Sequence, residues 1–368
     1  MKQAFDRLQK VRESLKAQYL ERDEVVDGML VGMISKQHVF LLGPAGTAKS
    51  DMTRSLCETM VGQFFQYVLG KFTTPEELYG PPSLKALEQD RYERMTDRTF
   101  VTADVAFLDE IFKCSVATLN TMLPCLNERI FFNGPTQVIK MPLQFAVGAS
   151  NELPESQELG ALYDRFLIRF LVNRIQNRDN ARRMMVSGAC DSFGKMSQQD
   201  LQDLRKAADA LQISEAVMNA ILDIRDQIHQ GGIYCSDRKW RQALGVLRAF
   251  ALLEGHKEVE MDDLSMLRNM MWDRPEQRTQ INKIVAKYSN PLGEQILTML
   301  DACREQLANL DNTQIKTNVV EAHGKVKKAV EMLKKLAAEN PTNKRAAEGC
   351  TEAQSILTRI VKEKLGLS

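Results

Sequence analysis

The sequence predicts an α/β fold, a parallel sheet flanked by helices, with all-helical regions behind it. Three observations carry this. Short apolar runs at 38–42, 104–109 and 143–149 are separated by helical segments, the alternation that builds a parallel sheet covered on both faces. The first run enters a Gly-rich turn that opens directly into a helix. Strand signals then disappear after about residue 175, and helical periodicity takes over.

The elements follow in order. Residues 1–35 read as two helices, with Phe5, Leu8, Val11 and Leu15 at helical spacing and Val25, Met29, Val31 and Met33 after the charged break Glu21-Arg22-Asp23. His38–Leu42 is a short buried strand, and a helix runs from Lys49 to about Met60. The segment 64–72 is strand-like. Residues 198–270 form a small helical domain. Beyond Pro291, Leu292, Ile296, Met299, Cys303, Leu307 and Leu310 make one apolar stripe. Ile315, Val319, Ala322, Val326, Val330, Leu333 and Ala337 make a second. Ile356, Ile360 and Leu365 make a third after Asn340-Pro341. Three such stripes predict antiparallel helices packed as a bundle or hairpin stalk.

Composition narrows the function classes. The 368 residues are 26% charged and 44% hydrophobic, an ordinary globular balance. A net charge of +1 gives no global field toward nucleic acid or an acidic membrane. Seven scattered cysteines without a C-x-x-C pair make a poor disulfide framework and point to reduced thiols. No signal-peptide core and no run of ~18 apolar residues is seen, so a cytoplasmic protein without membrane insertion is expected.

The strongest motif is Gly43-Pro44-Ala45-Gly46-Thr47-Ala48-Lys49-Ser50, set between a strand and a helix as a phosphate-binding loop requires. Backbone N–H groups of such a loop surround nucleotide phosphates. Lys49 would reach the β- and γ-phosphates, and the Ser50 hydroxyl would hold Mg²⁺. Ala48 stands where the pattern has glycine, which is tolerable if its φ stays negative.

Val105–Asp109 is an apolar strand delivering Asp109 and Glu110 at its C-terminal end, where open α/β sheets bind ligands. Asp109 would hold the Mg²⁺ through water, and Glu110 would polarise the attacking water as general base. Asn151 ends the run 143–150 and could bond that water or the γ-phosphate, although strand-ending turn asparagines are common. Arg165 and Arg169 lie four apart on the apolar segment Leu162–Phe170. One of them could be offered to a neighbour's γ-phosphate, or both could be solvated heads over a core segment. Arg238 lies in the first turn of a helix capped by Ser236 or Asp237, where the helix dipole disfavours a cation, a hint of an anionic partner.

The order Gly43–Ser50, Asp109-Glu110, Asn151, Arg165 and Arg238 is that of Walker A, Walker B, first sensor, arginine finger and second sensor. The chain resembles the MoxR family of AAA+ ATPases, and within it the RavA branch. Leu20-Glu21-Arg22, Thr74–Glu77, Arg91–Arg94, Asn127-Glu128-Arg129, Ala149–Pro154, Ala161–Arg169 and Ser236–Trp240 also carry the likeness, which spans about residues 15–275. The resemblance implies a P-loop AAA+ core over 1–190, an all-α lid over 191–275, and a C-terminal helical stalk or bundle over 276–368. It also implies ATP and Mg²⁺ as ligands, a homo-hexameric ring, Arg165 acting in trans with Arg169 as fallback, and Arg238 as second sensor with Arg241 as fallback. Two β-hairpin insertions are expected near the ring axis, at 82–98 and at 128–141, the latter turning at Asn133-Gly134. RavA-like proteins carry a β-rich insert in the stalk, and this chain keeps helices there.

The expected function is chaperone-like remodelling of a protein client driven by ATP hydrolysis, through an adaptor with a von Willebrand factor A domain. The rival is a nucleic-acid motor, because the same hairpin-bearing clade includes the MCM helicases. Against it, the hairpin 128–141 holds only Arg129 and Lys140 as cations, where a phosphate-gripping loop should be richer. The basic stretch Gly324–Val330 reads as a solvated helix face.

Overall fold

The computed structural model describes residues 1–60, 62–135, 137–154, 157–186, 193–290, 319–339 and 344–361, with positions 293, 296, 299, 300, 302–304, 306 and 307. Two units divide between Ile281 and Asn282. In the first unit, helices α1 (Lys2–Gln18) and α2 (Asp23–Ser35) lead into strand β1 (Val39–Leu42). Helix α1 is amphipathic as the spacing predicts, with Leu8, Val11 and Leu15 buried, whereas α2 is buried on nearly every side, from Val25 and Val26 through the continuous run Gly28–Ile34. Next come α3 (Lys49–Glu58), β2 (Phe64–Val68), α4 (Pro75–Tyr79), the helical turn α5 (Leu84–Leu87) and β3 (Val105–Asp109). They are followed by α6 (Val116–Asn127), β4 (Ile130–Asn133), β5 (Gln137–Lys140), β6 (Phe145–Ser150), α7 (Gln157–Tyr163) and β7 (Ile168–Leu171).

Strands β2-β3-β6-β1-β7 form one sheet, and every neighbouring pair is parallel. β1 and β6 are buried at every position, which is why they read as continuous apolar runs rather than alternating ones. Because all five strands run the same way, their C-terminal ends share one edge. The chain leaves β1 for the far edge strand β2 and later passes β6 to reach β7 on β1's other side. That reversal opens a crevice at the C-terminal end of β1. At the opposite edge, buried His38 joins three elements. Its Nε2–H donates to Leu126 O at the end of α6 (2.7 Å), and its Nδ1 accepts from Ala146 N in β6 (2.9 Å). Burial pushes its pKa down to about 4 and keeps the ring neutral.

The sequence reading missed one strand and misjudged one insertion. β7 falls in the apolar segment Leu162–Phe170 and just beyond it, and the charged Arg169 in its middle hides the strand pattern. The segment 82–98 is not a two-stranded hairpin. Its sides meet in one antiparallel bridge, Pro82 with Arg94, and Ser83 instead caps the helix-forming run Leu-Lys-Ala-Leu, its Oγ accepting from Ala86 N (3.3 Å). The second insertion is a hairpin, with Asn133 paired to Gln137 across a loop that starts at Gly134. Asn133 also clasps the first insertion: its Oδ1 accepts from Arg94 N (2.7 Å) and its Nδ2 donates to Arg94 O (3.3 Å).

Helices α8 (Arg178–Val186), α9 (Gln198–Ala210), α10 (Glu215–Gln230) and α11 (Asp237–Glu254) follow, then a 3₁₀ segment (Met261–Asn269) and α12 (Gln277–Ser289). The second unit contains α13 (Val319–Glu339) and α14 (Lys344–Arg359). Ile296, Leu300 and Cys303 pack with Val326, Val330 and Leu333 of α13 and with Ala353, Ile356 and Ile360 into one core, so the three stripes do converge. Leu292, Leu310, Ile315, Leu365, Pro291 and Asn340-Pro341 lie outside the described residues. Cys190 lies outside them too, and the six described cysteines are free. Among the described residues no helix is long and apolar enough to cross a membrane.

Candidate nucleotide site

The loop 43–50 leaves β1 at the crevice. Gly43 sits where a Cβ would come 2.1 Å from Val172 O, so only glycine lets the loop cross the end of β7. Gly46 has φ +76°. Ala48 departs from the expectation: its φ is +64°, in the left-handed region, so the alanine occupies a conformation that favours glycine. It forms the N-cap of α3 without any side-chain cap, which leaves the first N–H groups of that helix open toward the crevice. Lys49 Nζ folds back onto Gly43 O (2.7 Å) and Pro44 O (2.9 Å). Burial lowers its pKa, with Asp109 and Glu110 pulling the other way.

The loop residues Ala45–Ser50 share a cavity of about 380 Å³ with Asp109 and Glu110. Asp109 ends β3, and burial raises its pKa against the Glu110 N–H that its Oδ1 accepts (3.0 Å) and the nearby Lys49. Glu110 turns the chain with φ +51°. Its Oε2 lies 3.1 Å from Lys113 Nζ. That approach lacks hydrogen-bond alignment, so the buried Oε2 has no hydrogen-bond partner. Ser50 and Asp109 offer one hydroxyl and one carboxylate. This sparse hard-oxygen set suits Mg²⁺, which keeps most of its coordination for water and phosphate. Among the described residues no group of three or more His, Cys, Asp or Glu side chains could hold a metal by itself.

Asn151 is exposed directly after β6, on the same edge and between the strands of Lys49's loop and Asp109. Arg165 and Arg238 are not brought to this pocket. Arg165 is half-buried three residues before β7 begins, at the opposite edge, and its Nε has no partner. Arg238, exposed in the first turn of α11, donates to Asn127 Oδ1, next to the Leu126 carbonyl that takes His38. It therefore stands at that same far edge.

Arg169 is overturned as a fallback finger. Its side chain is 0% exposed and is consumed by Phe166 O (2.9 Å), Tyr163 O (3.2 Å), Trp272 O and the Asp273 carboxylate, with its guanidinium 3.7 Å over the Tyr163 ring. Asp273 also pairs with Lys239 (2.8 Å). Burial raises the Asp273 pKa, but Lys239 and Arg169 outweigh it, so the net shift is downward. Arg241, the other fallback, is exposed on α11. Sequence reasoning passed over Lys239 and Asp273. The signal was present for Lys239, which precedes buried Ala243 and Val246 at helical spacing and so falls on the inner face of α11.

Comparison with known proteins agrees with the fold. The model of a MoxR domain in MoxR–vWA–β-propeller ternary systems matches residues 6–213, and an AAA lid domain matches 216–285. Two uncharacterized proteins of Methanocaldococcus jannaschii are similar over nearly the whole chain. One is 34% identical over 92% of this chain and 88% of its own, the other 32% over 98% and 97%. Chaperone MoxR1 of Mycobacterium tuberculosis is 29% identical over 41% of this chain and 40% of its own. A solved Cytophaga hutchinsonii structure, described as a candidate ATPase, shares the fold with a TM-score of 0.63 at 18% identity, over 78% of this chain and 95% of that one. A phosphate-loop sheet with this strand order, a helical lid, and a domain model covering more than half of the residues lead to one assignment: the chain belongs to the MoxR family of AAA+ ATPases.

Proposed function

We propose that this chain hydrolyses ATP as one subunit of a ring, and that the ring remodels a protein client. The observation carrying the ring is the division of charged groups between the two edges of the sheet. The cradle, the metal acid and the base share one edge, while Arg165 and Arg238 stand at the other. A four-residue strand spans about 13 Å, so neither arginine serves the pocket of its own chain. A neighbour supplies both.

In this reading the loop N–H groups and Lys49 bind the phosphates, and Lys49 exchanges its contacts with Gly43 O and Pro44 O for phosphate oxygens. Ser50 and Asp109 would hold Mg²⁺, which when bound neutralises charge on the phosphates. Glu110 accepts the proton of the attacking water, and Asn151 orients that water. Arg165 of the next subunit meets the charge that develops on the γ-phosphate, a contribution of ~10³–10⁵ in rate. Arg238 approaches from the same side as second sensor.

A partner with a von Willebrand factor A domain fits the reading, since the matching domain model is named for MoxR–vWA–β-propeller systems. RavA-like chaperone action on a protein client goes with it, as the name of Chaperone MoxR1 suggests. The decisive experiment mixes two inactive variants. Lys49→Ala lacks the cradle and Arg165→Ala lacks the finger, so mixed rings contain pockets with both parts intact and regain activity. If the mixture stays as inactive as its components while hetero-oligomers form, the trans arrangement is wrong.

A further inference from the structure

We infer that Lys113 is a movable restraint on Glu110, shared between that carboxylate and Glu152. The inference rests on Glu110 acting as the base. Three observations carry it. First, Lys113 Nζ reaches Glu110 Oε2 at 3.1 Å without hydrogen-bond alignment, so the contact neutralises the carboxylate without fixing it. Second, Glu110 lines the nucleotide cavity, whereas Lys113 lines a separate neighbouring cavity of about 440 Å³. The ammonium therefore has room to leave. Third, Glu152 lines that second cavity together with Lys113 and Lys71. Glu152 directly follows Asn151, the residue placed to hold the attacking water.

The physical consequence is a competition for one oxygen. While Lys113 holds Oε2, water must displace an ion pair to use it. When Lys113 turns to Glu152, the oxygen is free, and the chain just behind Asn151 gains a counter-charge. Lys113 is thus a positioning residue, since it touches the base and not the nucleotide. A partly exposed ion pair of this kind is worth ~0.2–1 kcal/mol, which sets the effect at roughly a 1.4- to fivefold change in turnover.

The test is steady-state ATPase kinetics of the full chain. Lys113→Met should raise kcat by about 1.4- to fivefold with KM for ATP unchanged, and Lys113→Arg should give less than half of that gain. Glu152→Gln should lower kcat by a similar factor, because Lys113 then stays on Glu110. The double variant Lys113→Met/Glu152→Gln should match Lys113→Met alone, since Glu152 acts only through the lysine. A lower or unchanged kcat in Lys113→Met, an effect confined to KM, or a double variant that combines both single effects would each overturn the restraint. Glu110→Gln separates the two readings: if it turns over like wild type, the base assignment fails instead.

Discussion

Replacing Asp273 tests the least visible part of the fold. Its carboxylate is the shared counter-ion of Arg169, 0% exposed, and Lys239, 6% exposed at the side chain. The two cations are not equally provided for. Arg169 keeps the carbonyls of Phe166, Tyr163 and Trp272 when Asp273 goes, whereas Lys239 Nζ loses the partner at 2.8 Å. Breaking a fully buried pair from one side costs ~3–5 kcal/mol. Asp273 itself is 44% exposed, so water reaches the vacated position and screens part of the loss. Burial already lowers the Lys239 pKa, and deprotonation gives a second way to relieve the stranded charge. Both reductions bring Asp273→Asn to about 2–3 kcal/mol of destabilisation. Lys239→Met removes a charge instead of stranding one and leaves Asp273 with Arg169, so it should cost less than about 1 kcal/mol. Urea unfolding at neutral pH, followed by tryptophan fluorescence, measures both, because Trp272 adjoins Asp273 in the chain. Equal losses for the two variants would refute the idea that the carboxylate holds two cations.

Three further outcomes are expected. Ala48→Gly relieves a left-handed alanine that costs ~1–2 kcal/mol, offset by the greater freedom of glycine in the unfolded chain. It should raise stability by about 0.5–1 kcal/mol in the same urea assay, and a loss of stability would mean that Ala48 is not strained. His38 has a folded pKa near 4, below its ordinary 6.5. The unfolded chain therefore takes up the proton first. The stabilisation is complete above about pH 6.5 and falls by up to about 3 kcal/mol as pH drops to 4. His38→Gln, which keeps a donor and an acceptor, should flatten that part of the stability profile, and an unchanged profile would count against it. Finally, single- or double-stranded DNA should not stimulate the ATPase, because the hairpin presents Phe132 and Val138 (56% and 59% exposed) rather than a row of cations. A several-fold stimulation at low salt that vanishes as salt rises would favour the helicase reading.

The sequence was most legible where local pattern and burial coincide. Val39–Leu42, Val105–Asp109 and Phe145–Ser150 are apolar because both faces of a parallel sheet are covered, so their strands could be read directly. The phosphate loop was legible for the same reason, as its strand–loop–helix context is contiguous. Features that depend on distant partners were not. β7 was obscured because Arg169 is neutralised by Asp273, about a hundred residues further on. The hairpin expected at 82–98 followed from the family resemblance alone, and the structure departs from it because capping by Ser83 competes with strand pairing within a few residues. Arg238 was identifiable as an unusual first-turn cation, but the edge it faces follows from the packing of α11 beside Asn127. Ala48 shows a different limit, since the residue type alone gave no sign that the backbone would keep the glycine conformation.

The Asn133 clasp has a mechanical consequence. It grips the backbone of Arg94 through both donor and acceptor, and Arg94 in turn anchors on Gly80 O and Glu76 (2.9 Å each). The hairpin β4–β5 and the segment 82–98 are thus riveted together, and neither can tilt without carrying the other. A pull on the hairpin tip travels along this coupling to α4, which begins just beyond β2 at the nucleotide edge of the sheet. The two insertions form a single lever arm with its fulcrum on the sheet, so a displacement of the tip becomes a torque on the segment that leads back to β2.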